Sequence, residues 1–166
     1  MALHHDLLEQ AGHLARREPN RPRQASLRRA VSAAYYAVFH LLASEGAKLL
    51  GSTRPIGLRA QVQRGFAHRD MREVCRQFVA GSPAAPTRAL ITIPIESQLR
   101  SVCEVFLMLQ DARHKADYDV IQAFDRLDAL SLIEAAQTAF ANWRAIRSTP
   151  NASVFLTALL LQRQWQ

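Results

Sequence analysis

The chain is poor in the residues that build several common kinds of site. It has two cysteines among 166 residues, Cys75 and Cys103, and their spacing matches neither a disulfide framework nor a metal-binding pair. We therefore expect both thiols to be core residues in a reducing cytoplasm. No apolar run approaches the roughly 18 residues that a membrane span requires, and the first residues lack the features of a signal peptide. The sequence predicts a soluble cytoplasmic protein with no membrane partner.

Motifs for metal and nucleophile chemistry are missing as well. No glutamate is followed three residues later by histidine, which excludes the Glu-x-x-His pairs of bundle di-iron sites. Glycine loops that cradle phosphates, the nucleophile elbow and a Cys-His-Asn constellation are also absent. The six histidines are scattered, and a lone histidine is more often a surface or core residue than a ligand. We expect no metal and no other cofactor.

Positive charge is the main surplus of the composition. The 21 basic residues exceed the 14 acidic ones by seven, and all of them except Lys48 and Lys115 are arginine. Arginine pairs well with phosphate, so the surplus indicates an acidic partner such as RNA, a nucleotide or an acidic protein. A GC-rich coding bias and solvated helix faces are the other interpretation. The arginines form two groups along the chain, namely Arg16, Arg17, Arg21, Arg23, Arg28, Arg29 and then Arg59, Arg64, Arg69, Arg72, Arg76.

Apolar residues recur at helical spacing almost throughout, and no segment alternates with the period of a strand. The sequence therefore predicts one all-α domain, residues 1–166, folded as an up-and-down bundle of four long helices plus one or two short ones. The predicted helices cover residues 3–18, 23–50, 56–79, 95–114 and 120–147, with a short last helix from residue 151 or 153. Gly65 marks a kink or a close approach in the third of these helices. Residues 81–87 form a predicted linker, and residues 87–94 an extended crossing segment.

Two of the predicted helices have a clear core face. In the second it is Val31, Ala34, Tyr35, Val38, Leu42 and Leu49, and in the fifth it is Phe124, Leu127, Ile133, Ala136, Phe140, Trp143 and Ile146.

Two opposite charges stand where the apolar stripe of the predicted helix 95–114 should continue. The stripe consists of Leu99, Val102, Phe106 and Leu109, and the next positions on the same face are Arg113 and Asp117. Buried charges are normally paired, so one interpretation is a structural ion pair at the end of the core. The other interpretation is an active or ligand site inside a helical bundle.

A second polar stripe runs along one side of the predicted helix 23–50. Its members are Arg29, Ser32, Tyr36 and His40, which share a helix face. A polar stripe is usually a solvated face. Tyr36 and His40, however, lie within an apolar run, so we also consider them as site or supporting residues.

Residues 24–40, Gln-Ala-Ser-Leu-Arg-Arg-Ala-Val-Ser-Ala-Ala-Tyr-Tyr-Ala-Val-Phe-His, and residues 112–119, Ala-Arg-His-Lys-Ala-Asp-Tyr-Asp, resemble the HEPN family (higher eukaryotes and prokaryotes nucleotide-binding). The resemblance is to a subgroup of small bacterial proteins and extends from about residue 21 to residue 143. It implies an up-and-down helical bundle that forms a homodimer. It also implies an RNA-cleaving or nucleotide-associated site in the dimer cleft, frequently within toxin–antitoxin systems.

The resemblance also assigns roles to individual residues. Metal-independent HEPN ribonucleases hold the phosphate with an arginine, which Arg113 matches, and move the proton with a histidine about one helical turn later. Here Asp117 and Tyr118 occupy that region, and His114 points elsewhere on the helix. The implied catalytic set is Arg113, Asp117, Tyr118 and His40, and the implied binding or supporting set is Arg29, Ser32, Tyr36 and His114.

Three functions are open at this point. The first is a HEPN-type ribonuclease or toxin-like effector with Arg113 on the phosphate. The second is a non-catalytic HEPN module that binds a nucleotide, RNA or a protein, in which Arg113 and Asp117 lock two helices together. The third is a structural bundle subunit whose dimerisation buries the apolar residues 154–161. In antitoxin-paired HEPN proteins a tyrosine near the motif can accept a nucleotidyl group from a partner nucleotidyltransferase. Tyr118 resembles this tyrosine in its neighbourhood but not in its exact spacing.

Overall fold

The computed structural model describes residues 2–49, 51 and 55–165, and the regular elements of those residues are all α-helices. They are α1 (Leu3–Arg16), α2 (Gln24–Lys48), α3 (Ile56–Arg64), α4 (His68–Ala80), α5 (Ala85–Arg88), α6 (Ser97–Tyr118), α7 (Arg126–Ile146) and α8 (Pro150–Leu161). Because no strand occurs in this part of the chain, the all-α prediction is confirmed. Among the same residues, no helix is both long enough and apolar enough to cross a membrane.

The chain divides into two compact units. Unit 1 consists of Met1–His40 and Val105–Ala141, and unit 2 consists of Leu41–Glu104 and Asn142–Gln166. The single domain over residues 1–166 stays a prediction.

Several aromatic side chains of unit 1 are buried where two helices meet. Tyr35 of α2 and Phe106 of α6 are fully buried, and their ring centroids lie 5.5 Å apart. Phe140 of α7 packs on His4 and His5 of α1, with ring centroids 5.8 and 5.4 Å away. Each such side chain contributes roughly 1.5 to 3 kcal/mol when it is fully buried. These contacts fix α1, α2, α6 and α7 as the frame of the unit.

The connection from α6 to α7 is longer than the sequence predicts, because α7 begins at Arg126 and not near residue 120. Arg28 of α2 holds this loop by donating hydrogen bonds to the carbonyl oxygens of Ala116 at 2.9 Å, Asp119 at 2.8 Å and Gln122 at 2.5 Å. One of these carbonyls belongs to the last turn of α6, where backbone acceptors lack helical partners. Arg28 thereby ends α6 and shapes the loop.

In unit 2 the main apolar contact is between α4 and α8. Phe78 and Phe155 meet edge to face at 5.0 Å between ring centroids, and Leu156 and Leu159 of α8 are also buried. Within the apolar run of residues 154–161, Phe155, Leu156, Ala158 and Leu159 are buried in the chain itself, whereas Val154, Leu160 and Leu161 are half-buried. Dimerisation over this run stays a prediction.

The predicted helix 56–79 is in fact two helices, α3 and α4, which are separated at Gly65. A Cβ atom at Gly65 would lie 2.9 Å from Cδ1 of Leu160, so the glycine permits a close approach as well as a break. The short helix α5 (Ala85–Arg88) spans the end of the predicted linker 81–87 and the first residues of the segment 87–94 that was predicted as extended. Further along, the side chain of Asn151 pairs with the backbone N–H and carbonyl of Thr92 at 2.7 and 2.8 Å.

Several other sequence predictions need correction. Helix α1 ends at Arg16, and α6 begins at Ser97 and continues through Tyr118. Two residues that were assigned to core faces are exposed, Leu49 by 45% and Leu127 by 74%. Both lie at helix ends, where periodicity is least informative. The predicted end of the second helix at residue 50 falls outside the described residues.

Candidate functional site

Four of the predicted site residues form one hydrogen-bonded group in unit 1, which we call the Arg113 cluster: Ser32, Tyr36, Arg113 and Asp117. Arg113 Nη2 donates to the Tyr36 hydroxyl at 3.0 Å, and Arg113 Nε lies 2.6 Å from Asp117 Oδ2. The Ser32 hydroxyl donates to Asp117 Oδ1 at 2.6 Å. Two side chains of α2 are thus joined to two side chains of α6.

The regular spacing of the helices produces this match. Ser32 and Tyr36 are four residues apart on α2, and Arg113 and Asp117 are four residues apart on α6. Residues at this spacing lie one above the other on a helix face, about 5 to 6 Å apart between Cβ atoms. Two such pairs can therefore meet as a two-by-two arrangement when their helices pack side by side.

The charge of Arg113 is already engaged by its neighbours. Its guanidinium carbon lies 5.5 Å from the ring centroids of both Tyr36 and Tyr118, within reach of a cation–π attraction. Partial burial alone lowers the pKa of Arg113, but the facing oxygen atoms of Tyr36, Asp117 and Tyr118 and the hydrogen bond to Tyr36 outweigh it and raise the pKa. The side chains of Arg113 and Asp117 are each only 21% exposed. The ion pair is therefore partly sheltered from solvent.

A groove of about 370 Å³ lies beside this cluster, between α1 and α2. Its lining is partly apolar and partly polar: Leu7, Gln10, Leu14, Arg29, Ser32, Ala33 and Tyr36. The hydroxyl groups of Ser32 and Tyr36 link the groove to the Arg113 cluster, and the exposed Arg29 supplies a positive charge. This combination of apolar wall and converging polar groups is typical of small-molecule sites.

Of the histidines predicted for the site, His40 packs against the ring of Tyr36 in the cluster, and His114 packs against Tyr118 beside the cluster. His40 lies one turn after Tyr36 on α2, with ring centroids 6.3 Å apart, and meets Phe39 edge to face at 5.3 Å. Burial lowers the pKa of His40, which keeps its imidazole neutral near pH 7. His114 is exposed and stacks on Tyr118 at 5.1 Å. Tyr118 is 64% exposed, so its hydroxyl is accessible to solvent.

Sequence reasoning found the α2 and α6 residues of the site and missed the contribution of α1. Leu7, Gln10 and Leu14 line the groove, and the two leucines are half-buried at helical spacing on one face of α1. The spacing of Leu7 and Leu14 indicates an apolar face on α1, but it does not show which other helix that face contacts. No group of three or more metal-ligating side chains was found among the described residues.

A second surface feature of unit 1 lies between α6 and α7. It is a groove of about 490 Å³ with an apolar floor at Met108, Phe124 and Leu132 and charged residues at its rim. The loop before α7 adds two strongly exposed side chains, Val120 at 89% and Ile121 at 92%. Exposed apolar groups this close together are unusual on a surface that faces only water.

The chain matches no protein-family model, no curated protein and no solved structure. The likeness to HEPN proteins in residues 24–40 and 112–119 therefore stays a prediction. Conclusions about function depend on the geometry of the Arg113 cluster and of the α1–α2 groove.

Proposed function

We propose that the chain is a HEPN-like module that binds a nucleotide in the α1–α2 groove and does not cleave RNA. The observation that carries this proposal is the groove itself, in which Arg29, Ser32 and Tyr36 converge beside an apolar wall. Its volume of about 370 Å³ is within the usual range of small-ligand pockets, roughly 300 to 1,000 Å³. Leu7 and Leu14 would face the base, and Arg29 would pair with the phosphate.

The contacts of Arg113 support binding without catalysis. A ribonuclease of the HEPN type needs a free cation for the phosphate and a group that supplies a proton. Arg113 is instead joined to Tyr36 and Asp117, and Asp117 also accepts a bond from Ser32. Burial lowers the pKa of His40, so near pH 7 its imidazole is not protonated to the imidazolium that serves as a general acid. In this proposal, Arg113 and Asp117 lock α6 to α2 and shape the floor of the groove.

The test is a titration of purified protein with AMP, GMP and ATP, in which calorimetry or a thermal shift measures binding. Arg29→Ala removes the proposed phosphate contact, and Arg17→Ala is the matched control because it removes the same charge from a side chain that is 64% exposed and does not line the groove. A hydrogen bond to a charged group contributes about 1.5 to 3 kcal/mol, so Arg29→Ala should weaken binding roughly 10- to 150-fold. Equal affinity of both variants, or no binding by wild type, would contradict the proposal.

A metal-independent ribonuclease is the second candidate function. It is favoured by the position of His40 one turn from Tyr36, where burial lowers the His40 pKa, because a neutral imidazole can accept a proton from a ribose 2′-hydroxyl. Arg113 would then have to exchange Asp117 for a phosphate. The two candidates predict opposite outcomes in an RNA cleavage assay.

We also propose that the chain forms a homodimer, as HEPN proteins do. The exposed Val120, Ile121 and Leu127 beside the α6–α7 groove support this proposal, since burial of such side chains stabilises association. A nucleotidyltransferase that modifies Tyr118 is a further proposed partner, which the exposure of Tyr118 would permit. A mass shift of the intact protein after coexpression with such an enzyme is the expected result, and an unchanged mass would count against it.

A further inference from the structure

The net positive charge of the chain belongs entirely to one of its two units. Unit 1, which contains the Arg113 cluster, has nine Lys and Arg residues and nine Asp and Glu residues. Unit 2 has twelve basic and five acidic residues. The formal charges are therefore zero and +7, and their sum equals the charge of the whole chain. The basic character that suggests a polyanionic partner lies outside the unit that carries the proposed nucleotide groove.

Within unit 2 the arginines form a stripe along α4. Arg69, Arg72 and Arg76 are separated by three and four residues, so they share one face of the helix. Together with Asp70, Glu73 and Gln162 they line a cleft of about 230 Å³. Arg69 and Arg76 are exposed, and Arg72 is half-buried. We call this surface the α4 arginine stripe.

The two carboxylates in the cleft offset only part of the positive charge of the stripe. Asp70 is paired with Arg163, whose Nε lies 2.8 Å from Oδ2, and the Asp70 side chain is only 16% exposed. Glu73 accepts a hydrogen bond from Gln77 on the same helix at 3.3 Å. Since Arg163 is itself 70% exposed, the neighbourhood contains four guanidinium groups and two carboxylates.

We propose that the α4 arginine stripe binds the phosphate backbone of a nucleic acid without reading its sequence. The spacing fits this ligand, because α4 rises about 1.5 Å per residue and Arg69 to Arg76 therefore covers about 10 Å. One strand of a duplex presents a phosphate every 3.4 Å or so along its axis, which places about three phosphates in the same length. Contacts of this kind position a protein on the duplex but do not specify a sequence.

A membrane surface fits α4 less well. Helices that lie on membranes insert a free apolar face beside their basic residues. The apolar residues Met71, Val74, Cys75 and Phe78 of α4 are all buried within unit 2. The outward face of the helix therefore offers charge to a partner without an apolar face to insert.

The experiment measures the affinity of the full chain for labelled DNA and RNA duplexes of equal length across a range of salt concentrations. The test variant is Arg69→Ala/Arg76→Ala, which removes the two exposed members of the stripe. The control is Arg17→Ala/Arg21→Ala, which removes two exposed charges from unit 1 and alters net charge equally. Melting temperatures of all three proteins establish that each is folded.

On each duplex, we expect the control variant to bind as tightly as wild type. The affinity of both proteins should fall steeply as the salt concentration rises. The test variant should bind more weakly, and its slope of log affinity against log salt should be shallower by about 1.8 on the DNA duplex, about 0.9 for each lost phosphate contact. Equal weakening of both variants would overturn the proposal, since net charge alone would explain it. Absence of binding by wild type, or equally tight binding of polyglutamate, would also overturn it, the latter in favour of an acidic protein partner.

Discussion

Arg113 should stabilise the fold, because its side chain takes part in the contacts between α2 and α6. A salt bridge on the surface contributes about 0 to 1 kcal/mol, and breaking a buried one costs about 3 to 5 kcal/mol. With both side chains 21% exposed, the pair of Arg113 and Asp117 lies between these limits, so we expect Arg113→Ala to lower the free energy of unfolding by roughly 2 kcal/mol. For a chain of this length, that loss corresponds to about 4 to 8 °C in Tm.

A double-mutant cycle separates the cluster from the loss of a bulky side chain. Tyr36→Phe removes the hydroxyl that accepts from Arg113 and should cost about 1 kcal/mol. The double variant Tyr36→Phe/Arg113→Ala should be destabilised by less than the sum of the two single variants, and the difference, the coupling energy, should be at least about 0.5 kcal/mol. Urea unfolding followed by circular dichroism measures all four proteins.

The matched control for this cycle is Arg17→Ala. Its side chain is 64% exposed, and its acidic neighbour Glu18 is 3.9 Å away. We expect this change to cost less than about 0.5 kcal/mol. The structural role of Arg113 would be refuted if Arg113→Ala were no more destabilising than Arg17→Ala, or if the cycle were additive.

Two further predictions concern other parts of the chain. Glu45 in unit 2 has a buried side chain that accepts from Trp143 Nε1 at 3.1 Å and lies 3.3 Å from Arg147 Nε. Burial alone raises the pKa of Glu45, but these partners and Lys48 lower it more, so its stabilising effect is present above the unfolded pKa and is lost as pH falls through the folded pKa. The Tm difference between wild type and Glu45→Gln should therefore be largest near pH 7 and shrink below about pH 4.5, and a difference that is constant with pH would contradict this assignment. In unit 1, Ile121→Glu places a charge on a side chain that is 92% exposed, so light scattering should show dissociation of the proposed homodimer into monomers that keep the helical circular dichroism spectrum. A molar mass equal to that of wild type would exclude this surface from the interface.

The sequence was informative about the site because helical periodicity determines which residues share a face. The placement of Ser32 and Tyr36 on one side of α2, and of Arg113 and Asp117 on one side of α6, follows from spacing alone. The pairing between the two helices does not follow from spacing, because it depends on how they pack. The α1 side of the groove was missed for the same reason.

The main errors in the predicted fold arose where local patterns compete with tertiary contacts. The helical pattern of apolar residues continues through Gly65, where the structure has a break between α3 and α4. This break and the close approach of Leu160 depend on tertiary packing, which the pattern of one helix does not predict. The loop before α7 was assigned to a helix because Phe124 lies at helical spacing from the core residues that follow it. Two hydrogen bonds from Arg28, to the carbonyl oxygens of Asp119 and Gln122, hold this loop in a different conformation.

The uneven distribution of charge between the two units could not be predicted from the order of residues in the sequence. Two groups of arginines are visible along the chain, and they look equivalent in the sequence. The division into units shows that acidic residues balance the first group, including Arg28 and Arg29, whereas the group on α3 and α4 is not balanced. Arg28 is also occupied by carbonyl oxygens of the loop before α7.

The central claim is that the Arg113 cluster holds the fold of a binding module and does not cleave RNA. The most direct measurement is incubation of total cellular RNA with purified wild type and Arg113→Ala in EDTA, together with the Tm of both proteins. We predict no cleavage by either protein and a lower Tm for the variant. Cleavage by wild type that is lost in an Arg113→Ala protein of unchanged Tm would contradict the claim and establish a metal-independent ribonuclease.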